Sequence, residues 1–535
     1  MKTTRSRTTR VATGLATLAL ASVTLTSCAS SDGDKGAHGD AATYQTGLVN
    51  IAEAGDPRKG GTMTFGAYSE PAVLDPAETI VAGSTGGLEM AAIYDVLMRW
   101  NSADNTVQPQ LAESLEHSDD YQTWTLKLRD GVKFSDGTPL DAAAVKYSIE
   151  RYVRLGADEA MLWSDNVKAV STPDSSTIEF QLKTKWPSFD YMLTTGPGMI
   201  VARSAGEGKS FKPVGAGAFT LASHKPAESI SLEANPDYWD GAPNLDGIKV
   251  VFLNDPEATF DSFKSEEVDA AFTREPDLVD EAVQGKFQGF LNMVSLGSVA
   301  VINAGDGHPG SDPRVRQAMH MAIDPEVIAD RAYDGAGLPG NEIFAGSSVW
   351  ANDIDPLPFD PEGAKKLLEE AKADGFDGNI TYLDASDPAS RETALTVKAF
   401  LESVGFKVKL DLVSNVQEQI SKVAVDQNYD VAGWGISWRE AGPYGRMFAT
   451  LHSEGNLSVG MPTTPEMDAL FGEFQAAETE DEQREIMGRI QTQWNEQVPA
   501  LIFGSTGEFL MWNTDLHGVV DSTNSMVLLD DAWLD

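Results

Sequence analysis

Apolar and polar residues are ordered differently in the two halves of the chain. Between Tyr121 and Arg129, Trp124, Leu126 and Leu128 alternate with Thr125, Lys127 and Arg129, the period of a half-buried strand. A second alternating run, Thr177 to Leu182, predicts another strand, and Thr62–Phe65 predicts a first one where the fold begins. Ser135-Asp136-Gly137-Thr138-Pro139 is a turn, and Asp141 is placed to cap a helix with Val145, Ile149 and Tyr152 on one face. Beyond residue 359 the pattern changes. Asp360-Pro361 and Asp387-Pro388 each put a capping carboxylate before a proline at the first helical position. Ala364, Leu367, Leu368 and Ala371 form the apolar stripe of the first helix; Leu395 to Val404 continues the second, and Gly375 and Gly405 end them. Asn379–Leu383 and the alternation of Phe406, Val408, Leu410 and Leu412 predict strands on either side of the second helix, a strand–helix–strand unit. A further helix near Gln417–Val425 leads into the apolar run Tyr429–Trp434, and Glu466 to Gln497 is mostly helical. No repeat of solenoid period is present. The pattern predicts a mixed α+β portion, then an α/β portion, with a C-terminal segment that returns to the first.

The N-terminus has a separate logic. Lys2, Arg5, Arg7 and Arg10 precede an apolar stretch from Val11 to Leu25, and the only cysteine, Cys28, follows directly as Leu25-Thr26-Ser27-Cys28. These are the parts of a secretory signal. With a thiol at the cleavage edge they resemble the lipobox of bacterial lipoproteins, with Ser27 where Gly or Ala is commoner. A helix that spans a bilayer needs about 20 apolar residues; this stretch is shorter and broken by Thr and Ser. The expectation is a signal peptide at 1–27, lipidation of Cys28, a small-residue polar tether at 28–57, and an extracytoplasmic protein anchored to the cell membrane.

Charge narrows the partners. Eighty-one Asp and Glu against 40 Lys and Arg give a net charge of −41, which repels nucleic acid. Catalytic signatures are scarce. The seven histidines (His38, His117, His224, His308, His320, His452 and His517) form no helix-spaced metal pair. Gly335-Ala336-Gly337-Leu338-Pro339-Gly340 satisfies G-x-G-x-x-G but follows a predicted helix, Val327–Tyr333, where a dinucleotide loop follows a strand; it reads as a loop. Ser164-Asp165-Asn166 has no S-x-x-K to accompany it. The chain reads as a non-enzyme without cofactor or metal.

Four blocks in order carry a family resemblance. They are Leu111–Leu115 with Trp124–Leu140, the glycine turn Val214–Phe219, Asn235-Pro236-Asp237-Tyr238-Trp239, and Asp312–Ala318 with Ala322-Ile323-Asp324. Together they resemble the family 5 extracellular solute-binding proteins, the peptide- and nickel-type receptors of ABC importers. The resemblance implies an α/β, two-lobed clamshell of the type II periplasmic-binding-protein kind, with an additional α+β domain inserted in the first lobe. Carried over, lobe I is 58–105, 205–298 and 500–535, the inserted domain 106–204, and lobe II 299–499. It implies a monomer that captures a small solute, peptide or peptide-like, and hands it to ABC permease subunits in the membrane. A sugar, an anionic metabolite or a metal complex stays open as the solute, as does a ligand-sensing lipoprotein not required for uptake.

The resemblance also implies where ligand is held. Ser69-Glu70-Pro71 with Leu74-Asp75-Pro76 matches the family's first cleft loop, which makes Tyr68 and Glu70 lining candidates. The opposite wall is the strand Tyr429–Trp434 and the loop through Pro443-Tyr444. Peptide-binding members hold the ligand's α-amino group with an aspartate shortly after a Gly-Trp pair. Alignment on Gly433-Trp434 puts Ser437 at that place; ungapped alignment from Tyr429 to Pro443 puts Arg439 there, beside Glu440. Neither supplies the acid. Arg439 can pair with a ligand anion or with a protein acid, and Trp434 and Trp438 can stack on a sugar or fill a core.

Overall fold

The computed structural model describes residues 44–535, apart from 254 and 415. Cys28, the signal peptide and residues 28–43 of the expected tether lie outside the described residues; the tether does not extend to 57 as expected, since Tyr44 is buried in a core and Gly47–Val49 is a strand paired with Gly289–Leu291 of the central sheet. Two long strands, Gln288–Ile302 and Ala500–Trp512, run antiparallel through the middle of a 13-stranded sheet. Nearly every residue in them is buried, as both faces of the sheet are covered. On one side follow Ala270–Thr273, Thr62–Ala67, Gly247–Phe252, Ser229–Ala234 and Phe219–Lys225. On the other follow Val431–Trp434, Asn379–Ala385 and Lys407–Val413.

The ladder between the two long strands is broken near its centre, with register shifts between Val294 and Val299. Leu296 there has φ 54°, and a Cβ on Gly297 would stand 2.0 Å from Thr506 Oγ1, so only glycine fits. Such an irregularity bends a strand and releases backbone groups from the ladder. Two short strands pair beside the break: Trp438–Arg439 with Val294–Ser295, and Leu338–Pro339 with Gly504–Ser505. The Gly335–Gly340 segment is therefore a loop and edge contact after the Pro325–Ala332 helix, as its context predicts.

The local expectations hold where caps and alternation are local. Asp141, Asp360 and Asp387 each accept the hydrogen bond of a backbone N–H three residues on, and the helices run Ala142–Arg154, Pro361–Ala373 and Pro388–Val404. Gly405 closes the last at φ 108°. Asn379–Ala385 and Lys407–Val413 pair in parallel, completing the strand–helix–strand unit. The Gln417–Val425 helix differs: α-helix covers Val416–Ile420, and a π-turn follows over Ser421–Val425. Val425 is 74 % exposed, so this end has no core that holds a regular turn.

A separate antiparallel sheet joins Ala112–His117, Thr123–Leu128, Thr177–Leu182 and Val167–Ser171 in that spatial order. Trp124, Leu126 and Leu128 are buried on its inner face. They share one core with Trp163 and Phe189, and with Met447, Phe471 and Trp494 from much later in the chain. The Asn235–Trp239 motif has a packing role: Tyr238 and Trp239 both donate to the buried Asp95 carboxylate, at 2.8 and 3.1 Å.

Candidate functional site

A cavity of about 1720 Å³, including its solvent-open mouth, lies over the break in the central ladder. Its floor includes Val294, Gly297, Ser298 and Thr506. One wall comes from the 62–273 side of the sheet: Tyr68, Arg274, Glu275 and Pro276. The other comes from the 379–434 side and includes Tyr382, Asp384, Gly433 and Trp434, with Asp387, Ser390 and Thr393 from the start of the Pro388–Val404 helix. These residues sit at the carboxyl ends of the Asn379–Ala385 and Val431–Trp434 strands, where α/β sheets place ligands.

Tyr68 is held in place from two directions. Its hydroxyl donates to Glu275 at 3.2 Å, and the Arg274 guanidinium lies 4.8 Å from its ring centre. Burial pushes the Tyr68 hydroxyl above its ordinary range, so it stays a neutral donor. Across the cavity, Asp384 is only 6 % exposed. It accepts from Tyr382 Oη at 3.2 Å and from the Ala385 N–H at 2.8 Å. Burial pushes this carboxyl up to about 7, despite those two donors. The strand beside it makes room: a Cβ on Gly433 would stand 2.3 Å from Asp384 Oδ2.

A smaller cavity of about 690 Å³ adjoins, lined among others by Asp158, Tyr191, Arg439, Arg446 and Asn524. Arg439 and Glu508 form the partition, because Arg439 faces the smaller space and Glu508 the larger. Arg439 Nη1 donates to Glu508 Oε2 at 2.9 Å, and the two side chains are 13 % and 8 % exposed. Ser525 also donates to Glu508. Burial alone would raise the Glu508 carboxyl, but Arg439 and Ser525 hold it below its ordinary value.

Of the residues singled out from sequence, Tyr68, Trp434 and Ser437 come together around the large cavity. Ser437 holds φ 60°, a backbone region that costs energy and recurs at ligand sites. Four others do not line it. Trp438 is fully buried, its indole donating to Thr450 Oγ1 at 3.1 Å among Phe344, Phe471 and Trp494. Successive strand residues point to opposite faces, so Trp438 enters the core and Arg439 turns the other way. Arg439 is not a free anion receptor, since Glu508 takes its charge. Glu440 is 6 % exposed and accepts from Ser348 and the Val349 N–H, away from the large cavity. Glu70 accepts from His224 at 2.7 Å and from the Ala227 N–H at 2.9 Å. Sequence reasoning missed Arg274, Asp384 and Glu508; for Asp384 the available signal was its place at the end of a predicted strand.

Among the described residues, no group of three or more His, Cys, Asp or Glu is arranged to hold a metal ion, and no helix is long and apolar enough to cross a membrane.

Residues 106–458 match the family described as bacterial extracellular solute-binding proteins, family 5 Middle. The chain is 25 % identical over 544 residues to heme-binding protein A of Haemophilus influenzae, covering 95 % of this chain and 96 % of that one. It is 24 % identical over 410 residues to a probable D,D-dipeptide-binding periplasmic protein of Escherichia coli, DdpA, covering 74 % and 78 %. The crystal structure of NikA from Brucella suis with Fe(III)-EDTA superposes with a TM-score of 0.73 at 22 % identity, over 89 % of this chain and 100 % of that one. The fold is thus the two-lobed α/β architecture of the periplasmic binding proteins.

Proposed function

The chain belongs to family 5 of the bacterial extracellular solute-binding proteins, and from that premise we propose that it is a lipid-anchored receptor that captures a peptide or peptide-like solute and delivers it to an ABC permease. Members of the family are extracytoplasmic binding components of ABC importers. The observation that carries the reading for this chain is the large cavity, whose walls come from opposite sides of the central sheet and meet over the broken ladder. A ligand that touches both walls stabilises the closed arrangement over the open one by its differential contacts. The name of the Escherichia coli relative supports a peptide solute.

The finer organisation follows the same reading. Lobe I is 58–105, 205–298 and 500–535, the inserted domain 106–204, and lobe II 299–499. Cys28 carries the lipid that holds the protein on the membrane surface, and two or more acyl chains suffice for stable anchoring. The receptor works as a monomer and turns nothing over; ATP is hydrolysed by other subunits.

Native mass spectrometry of the protein, purified without refolding from an exporting host, tests this. A series of co-purified peptide masses is the expected result. A single non-peptide mass would replace the peptide with another solute class. Chemical change of the bound molecule over time would overturn the receptor reading in favour of an enzyme.

A further inference from the structure

A third cavity, of about 930 Å³ with its solvent-open mouth, shares no lining residue with the large one. One wall is the hairpin of Met98–Asn101 and Thr106–Pro109 with residues 187–191. The other is residues 440–444 and the turn that joins the Pro465–Ala476 and Glu480–Gln497 helices. Trp100, Tyr191, Trp350, Tyr444 and Phe474 give it an aromatic lining. The two cavities above each include arginine; among the described residues, no lysine, arginine or histidine lines this one.

Its charged lining residues are all acids, and the protein answers their charge unequally. Glu478 pairs with Lys185 at 2.5 Å. Glu480 accepts from Asn105 at 3.1 Å, in the electropositive first turn of its own helix. Asp190 accepts only from backbone N–H groups, that of Tyr191 at 2.9 Å, and burial pushes its carboxyl up to about 6. His117, in an adjoining cavity that Asp190 also lines, is the one basic group whose charge acts on it. Glu440, 6 % exposed, accepts from Ser348 and the Val349 N–H, both neutral donors. Arg484, which holds the Val349 carbonyl, is itself paired with Asp481.

We propose that this cavity is a second binding site, for a small organic cation: an ammonium group carried on an alkyl body. Withdrawn carboxylates are normally paired, and Asp190 and Glu440 lack a cationic partner of their own. The aromatic lining gives the alkyl body apolar contact, and aromatic faces attract ammonium groups. The Tyr444 hydroxyl, on a lining side chain that is 7 % exposed, has no hydrogen-bond partner among the described residues. An unmet polar group of that kind is one that a ligand can satisfy. A bare metal ion fits worse, because no three acids or histidines among the described residues are gathered to hold one. The proposal does not depend on which solute the large cavity holds.

Calorimetry on the purified full-length chain tests this with choline and cadaverine as probes, with unfolding curves for each variant. Their neutral analogues serve as controls, a tert-butyl group replacing the trimethylammonium or hydroxyls replacing both amines. Wild-type protein is expected to bind at least one cation and to hold its analogue about 10-fold or more weakly, the factor for losing an interaction with a charged group. Asp190→Asn should weaken the cation by a similar factor and leave the analogue as it was. Cation binding should persist when an equimolar library of free tripeptides is present in excess. Failure of both cations to bind at millimolar concentration would overturn the proposal. So would an analogue that binds as tightly as its cation, or a cation that the tripeptides displace, which would place it in the large cavity. None of these outcomes touches the receptor reading. Should Asp190→Asn fail to fold, Thr106→Lys, at an exposed lining residue, decides instead. It sets a protein ammonium in the cavity, and cation binding that survives it would overturn the assignment.

Discussion

Arg439→Ala is expected to cost about 3–5 kcal/mol of folding stability, the penalty for leaving one member of a buried ion pair alone. Glu508, 8 % exposed, would keep Ser525 and Asn292 as neighbours but lose its counter-charge. The pair sits between the two cavities, so the loss also opens the partition. Urea unfolding measures the effect. The double variant Arg439→Met with Glu508→Gln should recover most of it, because neither charge is then stranded. If Arg439→Ala is as stable as wild type, the guanidinium is not committed to Glu508 and is free to meet ligand.

Trp438→Ala should be comparably severe, at about 3–5 kcal/mol, as for other large aromatic truncations in a core. The indole is fully buried against Phe344, Phe471 and Trp494, and its N–H has a partner in Thr450. Trp434→Ala, by contrast, removes a half-buried ring on the cavity wall. The two variants therefore separate by readout. Thermal unfolding should move far for Trp438→Ala and little for Trp434→Ala, whereas tripeptide binding should weaken for Trp434→Ala at unchanged fold. The opposite assignment would return Trp438 to the ligand.

What was legible in the chain was what short-range physics decides. A capping aspartate before a helix, or the alternation of Trp124, Leu126 and Leu128, acts over a few residues, and these features appear where expected. The two longest strands gave no period-two signal, because Gln288–Ile302 and Ala500–Trp512 are covered on both faces, so their apolar residues do not alternate with polar ones and are interrupted by Gly, Ser, Thr, Asn and Glu. The site was half visible. Tyr68, Trp434 and Ser437 came from the family's pattern. Asp384 and Arg274 did not, because strand pairing and the meeting of two walls bring them together across 110 positions of sequence. Arg439 shows the limit most clearly. One residue decides whether it serves ligand or fold, and that residue, Glu508, lies on a strand 69 positions later.

The central claim is that ligand brings the two walls together. Its most direct test is the distance between spin labels on opposite sides of the central strand pair, at Glu228→Cys and Glu370→Cys in a Cys28→Ser background, which leaves no other thiol. Both positions are exposed, one on a hairpin beside the Phe219–Lys225 strand and one on the Pro361–Ala373 helix. Addition of the free tripeptide library should shorten and narrow the distance distribution. A distribution unchanged by peptides that calorimetry shows to be bound would contradict the account.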